Sequence, residues 1–205
     1  MSAEIAFVGD VHGNLSALRG LCHVLAARGG PHAVFLGDYV NKGAQSAEVM
    51  QELLAYSRAG RATLLAGNHE AALLDALDTG DLTAFLKMGG AMTIRSYVGA
   101  KVGPDVLRDF RARFPSEHLD AVRRMPETYE SDDLVAQHIP PAASTPKFRI
   151  TAHVPVGKLP RIGRHSAQLE TGCGAESGRL TALLWPSRDY VQVDARGAIV
   201  TRGVG

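Results

Sequence analysis

The sequence predicts an α/β protein built from two packed β-sheets with flanking helices, and three observations carry that reading. In the first third of the chain, short apolar runs alternate three times with apolar residues at helical spacing. Each of those runs stops at a glycine followed by Asp or Asn. After a helix-rich middle, the last part returns to short apolar runs separated by Gly and Pro. Alternation of the first kind argues a mainly parallel sheet, and a β-rich tail argues a second sheet against it.

The first strand is predicted at 5–8, with Ile5, Phe7 and Val8, and it ends at Gly9 and Asp10. Leu15, Leu18, Leu21, Val24 and Leu25 then mark a helix. The second strand, 33–36, ends at Gly37 and Asp38, and Val49, Leu53 and Leu54 mark the next helix. The third strand, 62–66, ends at Gly67 and Asn68. From about 71 to 125 the spacing of Leu73, Leu74, Leu77, Val106, Leu107 and Phe110 predicts helix. Strands are predicted again at 133–138, 148–153, 179–185 and 190–193. The stretch 140–146, rich in Pro, reads as a loop.

With 205 residues, the chain suits one hydrophobic core. The composition, 45% hydrophobic and 21% charged, is that of an ordinary globular protein. A net charge of +1 gives no footprint for long nucleic acid or for a membrane surface. The N-terminus has no basic region and only a four-residue apolar run, so neither a signal peptide nor a membrane span is expected. Cys22 and Cys173 lie far apart and read as reduced thiols of a cytoplasmic protein. Nothing in the sequence sets an oligomeric state.

In an open α/β sheet, ligands collect at the carboxyl ends of the strands. Asp10 and His12, Asp38, and Asn68 and His69 should therefore converge in one crevice. His138 and His153 each end a strand-like run and are candidates to join them. The other histidines, His23, His32, His118 and His165, read as structural, His23 in a helix and His32 in a turn.

The segments Gly9–Gly13 (with Asp10 and His12), Gly37–Gly43 (with Asp38) and Gly67–Glu70 (with Asn68 and His69) together resemble the signature of the calcineurin-like metallophosphoesterases. The likeness continues through Gly89–Tyr97 and through Thr171–Cys173 with Gly178–Leu183. It implies one metallophosphoesterase domain over 1–205, with a helical cap at about 71–125. The implied fold is two packed mixed sheets flanked by helices, an α/β/β/α sandwich. The implied cofactor is a pair of divalent metal ions, manganese first among Mn, Co, Ni, Fe, Zn and Mg. By resemblance, Asp10 and His12 hold the first ion, Asp38 bridges both, and Asn68, His138 and His153 complete the second. His69 faces the leaving-group oxygen. A donor set of imidazole and carboxylate without thiolate suits these ions and not a closed structural zinc site.

The chain departs from the family at two positions. Where the second motif normally ends Asp-Arg-Gly, this chain has Asn41, Lys42 and Gly43. An amide beside His69 orients the ring without favouring its cation. Lys42 is a point charge where Arg would be a planar fork. This pairing resembles the ApaH-like phosphatases, whose members cleave phosphoanhydrides, and it makes Asn41, Lys42, Asn68 and His69 the expected substrate-binding residues. The expected substrate is a small phosphoanhydride: a dinucleoside or nucleoside polyphosphate, a capped RNA end or polyphosphate. The alternatives are a protein Ser/Thr phosphatase and an inactive metal-binding interaction module. Lys158, Arg161 and Arg164 follow His153 and could grip further phosphates, as could Arg95 and Arg179.

Overall fold

The structure is a computed structural model and describes residues 4–99, 101, 103–141 and 145–203. The N-terminal tip and the centre of the 140–146 loop lie outside the described residues.

In chain order the elements are β1 (Ile5–Val8), α1 (Leu15–Ala27), β2 (His32–Phe35), α2 (Ser46–Arg58), β3 (Ala62–Leu64) and α3 (Asn68–Thr79). Four helices follow: α4 (Thr83–Lys87), α5 (Gly90–Val98), α6 (Val106–Arg113) and α7 (Ser116–Arg123). The last part contains β4 (Thr128–Glu130), β5 (Leu134–Gln137), β6 (Phe148–Thr151), β7 (Arg161–Ile162), β8 (Ser166–Gln168), β9 (Arg179–Trp185), β10 (Tyr190–Asp194) and β11 (Ile199–Gly203).

Two mixed sheets result. The first runs β11-β10-β9-β1-β2-β3, and the second β4-β5-β6-β8-β7. In the first, β1, β2 and β3 are parallel, while β9, β10 and β11 extend it antiparallel from the other side of β1. In the second, β5, β6 and β8 are parallel, with β4 and β7 antiparallel at the edges. The sequence separates a parallel half from a β-rich half. The structure instead divides the β-rich half, giving its last three strands to the first sheet. The pattern of a strand records which of its faces is buried, not which partner buries it, so this division is not written in the sequence.

The centre of the first sheet is buried on both faces, which is why its central strands are almost wholly apolar. Ala6, Val8 and Phe35 pack with Leu18, Leu21, Met50 and Leu53 from α1 and α2. Phe7, Val34, Leu36 and Leu183 point the other way, onto Leu134, Ala136, Phe148, Ile150 and Ala167 of the second sheet. The helical stretch adds Leu73, Phe85, Ile94, Phe110 and Val122 to the helix-side core.

Local chemistry sets the helix starts. Asn14 caps α1 by accepting the Ala17 N–H at 3.0 Å, and Asp105 caps α6 by accepting the Arg108 N–H at 3.0 Å. His32 begins β2 and does not sit in a turn. Its ring bonds the Gly60 carbonyl and the Thr63 hydroxyl, which tie β2 to β3.

Candidate metal centre

Six parallel strands, three from each sheet, deliver polar side chains just beyond their carboxyl ends. Asp10 and His12 follow β1, Asp38 follows β2, and Asn68 and His69 open α3 after β3. From the second sheet, His138 follows β5, His153 follows β6 and Glu170 follows β8. The packing of the two sheets brings all of these to one place.

The loops that carry them are tightly joined. The N–H groups of Val11 and His12 both donate to the Asp38 carbonyl, at 3.1 and 2.9 Å. The loops after β1 and β2 approach so closely that a Cβ on Gly13 would lie 2.6 Å from the Gly43 carbonyl oxygen. Only glycine permits that approach. Among the described residues, six non-glycine residues have positive φ, and five of them belong to this region: His12 (46°), Asp38 (56°), Asn41 (71°), Lys42 (60°) and His153 (64°). Such backbone costs roughly 1–3 kcal/mol per residue and persists where the surroundings over-determine it. Five of the six such residues lie in the loops that carry this cluster.

Glu70 supplies much of that hold. Its carboxylate is buried and accepts the N–H groups of Asp38 (2.8 Å), Tyr39 (2.8 Å), Gly67 (3.1 Å) and Val40 (3.3 Å). It fixes the turn that carries Asp38 and the start of α3 together. The sequence motif contains Glu70, but only burial reveals its role.

Asp38 is central. Its Oδ1 lies 3.3 Å from His138 Nε2 and accepts the His69 N–H at 3.1 Å. Its Oδ2 lies 3.6 Å from His69 Nε2 and 3.8 Å from His12 Nε2. Burial opposes the Asp38 charge, but the His138 hydrogen bond and the surrounding imidazoles hold its pKa at about 2. For His138, burial again works against charge and Asp38 outweighs it, so its pKa is raised.

Asp10 Oδ2 lies 3.5 Å from His12 Nε2, and Asp10 Oδ1 accepts the His153 N–H at 3.4 Å. Asn68 Oδ1 lies 2.7 Å from His138 Nε2 and 2.8 Å from His153 Nδ1. The structure thus brings Asp10, His12, Asp38, Asn68, His69, His138 and His153 into one cluster.

The donor set fits divalent ions. The ligand atoms of Asp38, His138 and His153 lie within 4.8 Å of one another, as do those of Asp10, His12 and Glu170. His12 Nδ1 faces the Val40 carbonyl and His138 Nδ1 the Leu36 carbonyl, both at 3.1 Å. Each carbonyl can accept an Nδ1 proton and so orient the ring with Nε2 toward the cluster, the support that metal-binding histidines use.

His69 is arranged differently. The Thr93 hydroxyl donates to Asn41 Oδ1 at 2.7 Å, which turns the Asn41 amide nitrogen toward His69 Nδ1 at 2.8 Å. The amide donates, so Nδ1 accepts and the ring proton sits on Nε2. Burial, with the charge of Lys42 and the neighbouring His12, lowers the His69 pKa to about 4 despite Asp38. The sequence reading places Asn41 among the substrate contacts. In the structure Asn41 is fully buried, with one end of its amide engaged by Thr93 and the other by His69. Lys42 is exposed and places Nζ 2.6 Å from His12 Nε2.

Lys158, Arg161, Arg164 and Arg95 are exposed. Arg179 is engaged with the Lys158 carbonyl, Gln192 and Thr201. His118 is buried, bonded to Tyr97 and Gln51. Glu170 is the residue the sequence reading missed: it is 3% exposed and close to Asp10. An acidic residue ending a strand-like run just before Thr171 and Gly172 was its only signal.

A family model described as calcineurin-like phosphoesterase matches residues 3–182. The chain belongs to that family. Its members are hydrolases that use a dinuclear divalent metal site, and the cluster above supplies candidate ligands for one. Among solved structures, a protein described as a proposed diadenosine tetraphosphatase matches with a TM-score of 0.68 at 18% identity, over 95% of this chain and 94% of that one. A cold-active protein tyrosine phosphatase gives 0.62 at 15% identity, over 100% and 79% of the two chains. A metallophosphoesterase from Sphaerobacter thermophilus gives 0.57 at 16%, over 98% and 89%. At these identities the likeness concerns the fold: two mixed sheets with flanking helices, as in other calcineurin-like phosphoesterases. Among the described residues, no helix is long and apolar enough to cross a membrane.

Proposed function

We propose that this calcineurin-like phosphoesterase hydrolyses phosphoanhydrides, with small nucleotide polyphosphates as its preferred substrates and manganese as its first-choice metal. Asp10 and His12 would hold one ion, Asp38 would be shared, and Asn68, His138 and His153 would hold the other. Bound there, divalent ions would supply an acidified water and positive charge for the phosphoryl oxygens.

The observation that carries the substrate class is the Asn41 amide donating to His69 Nδ1. A carboxylate at position 41 would bind an Nδ1–H and favour the imidazolium, a strong proton donor. The amide instead supports a neutral ring whose Nε2–H is a weaker donor. An alkoxide leaving from a Ser or Thr ester needs a proton as the bond breaks. A phosphate leaving from an anhydride departs as a stable anion and needs none. Lys42, exposed beside the cluster, offers a point charge to a chain of phosphates. A cleft of about 390 Å³ beside Asn68 and His138, lined also by Glu127, Thr128, Gln137 and Ile139, gives room for the rest of such a substrate. The name of one structural relative, a proposed diadenosine tetraphosphatase, points the same way. The two free thiols suit the cytoplasm.

The test is a substrate panel with manganese-loaded protein: diadenosine tetraphosphate, ATP, polyphosphate, a phosphoserine peptide and an aryl phosphate. General acid catalysis contributes about 10²–10⁴-fold, so kcat/KM for the best anhydride should exceed that for the phosphopeptide by about a hundredfold. Efficient phosphopeptide turnover with the anhydrides left intact overturns the proposal in favour of a protein phosphatase. No metal-dependent turnover of any member points to an inactive binding module.

His69→Asn separates the leaving groups further. It should cost an alkyl phosphoester about tenfold more than an anhydride, since only the ester draws on the Nε2 proton. Equal losses on both would remove the leaving-group explanation.

A further inference from the structure

We infer that Glu170 is a further carboxylate ligand at the metal position formed by Asp10 and His12, an assignment that rests on the two-metal reading above. Its backbone is pinned on both sides. The Glu170 carbonyl accepts the Val156 N–H at 3.0 Å, and the next hydroxyl, Thr171 Oγ1, donates to the Arg179 carbonyl at 2.8 Å and meets Thr181 Oγ1 at 2.6 Å. The side chain is anchored too, with Oε1 accepting the Gly172 N–H at 3.0 Å. Oε2, in contrast, is the one buried side-chain nitrogen or oxygen among the described residues that has no hydrogen-bond partner.

An unpartnered carboxylate oxygen, 3% exposed, sits beside a second buried carboxylate, Asp10. Burial of like charges side by side is costly, and a divalent cation held between them removes that cost. The ligand atoms of Asp10, His12 and Glu170 lie within 4.8 Å of one another, close enough to share one ion. Ligand counting agrees. The family resemblance gives one position Asp38, Asn68, His138 and His153, but gives the other only Asp10, His12 and the shared Asp38. Glu170 brings the second set to four, with the oxygen-rich character that favours manganese or magnesium.

The competing account is a proton shared between Glu170 and Asp10, and Glu170→Gln distinguishes the two. Gln reproduces the shape and hydrogen bonding of a protonated carboxyl but ligates metal poorly. Full-length protein stripped with a chelator would be titrated with manganese by calorimetry, and the melting temperature followed in parallel. The wild type should bind two equivalents. Glu170→Gln should keep one with unchanged affinity and bind the other about ten- to hundredfold more weakly, while the metal-free melting temperature stays level or rises. Two equivalents bound by Glu170→Gln with wild-type affinity would overturn the assignment and leave the two-metal reading intact. A wild type that binds no manganese would overturn both. If Glu170→Gln does not fold, Glu170→Asp carries the same readout: it keeps the charge and shortens the reach, and unchanged affinity for both equivalents would again overturn the assignment.

Discussion

Asp38→Asn is expected to lower turnover of the best anhydride substrate by at least about a hundredfold, since changes to residues that merely support metal ligands already cost about ten- to hundredfold. The carboxylate of Asp38 contacts three imidazoles, those of His12, His69 and His138, and its two oxygens divide the work. Oδ1 serves His138 and the His69 N–H, while Oδ2 faces His12 and the His69 ring. Asn retains an oxygen for the His69 N–H, so the local turn survives. It has no second oxygen, and it carries no charge to hold two cations in contact with one side chain. Turnover assays with circular dichroism on the same preparations check this. A folded Asp38→Asn protein with near-normal turnover would remove the shared-ligand role of Asp38.

Glu70→Ala should produce the largest loss of stability. Four buried N–H groups converge on this one carboxylate, and alanine leaves them without acceptors in a region closed to water. Each orphaned donor costs about 1–3 kcal/mol, and single substitutions seldom exceed about 5 kcal/mol in total. A loss of about 3–5 kcal/mol is therefore expected. For a chain of this size that is a fall in melting temperature of about 10 °C. Thermal unfolding of the metal-free proteins measures it. A fall of only a degree or two would show that the turn around Asp38 stands without Glu70.

Much of this was legible in the sequence because the first three strands announce their own ends. Gly9, Gly37 and Gly67 each follow an apolar run and precede a polar side chain, and a parallel sheet gathers such ends on one side. The short strands were not legible. β8 has the single apolar residue Ala167, and β11 is largely exposed, so neither shows a period long enough to read. Nor were the carboxylates. Glu70 and Glu170 look like surface residues until the neighbours that bury them are known, and those neighbours come from other loops. Asn41 was readable as a departure, but its direction was not. Thr93, 52 positions away, orients its amide.

Each sheet supplies only part of the metal-competent cluster, and the two parts are made at different times. A chain emerging from the ribosome contains Asp10, His12, Asp38 and Asn68 long before it contains His138, His153 or Glu170. The contacts that join them span 102 residues, from Leu36 to His138, and 143 residues, from Asp10 to His153. Contacts across such lengths of chain are among the slowest to form. The cluster therefore has no complete precursor: until the second sheet has docked, a growing or partly folded chain holds only the half of it that the first sheet supplies.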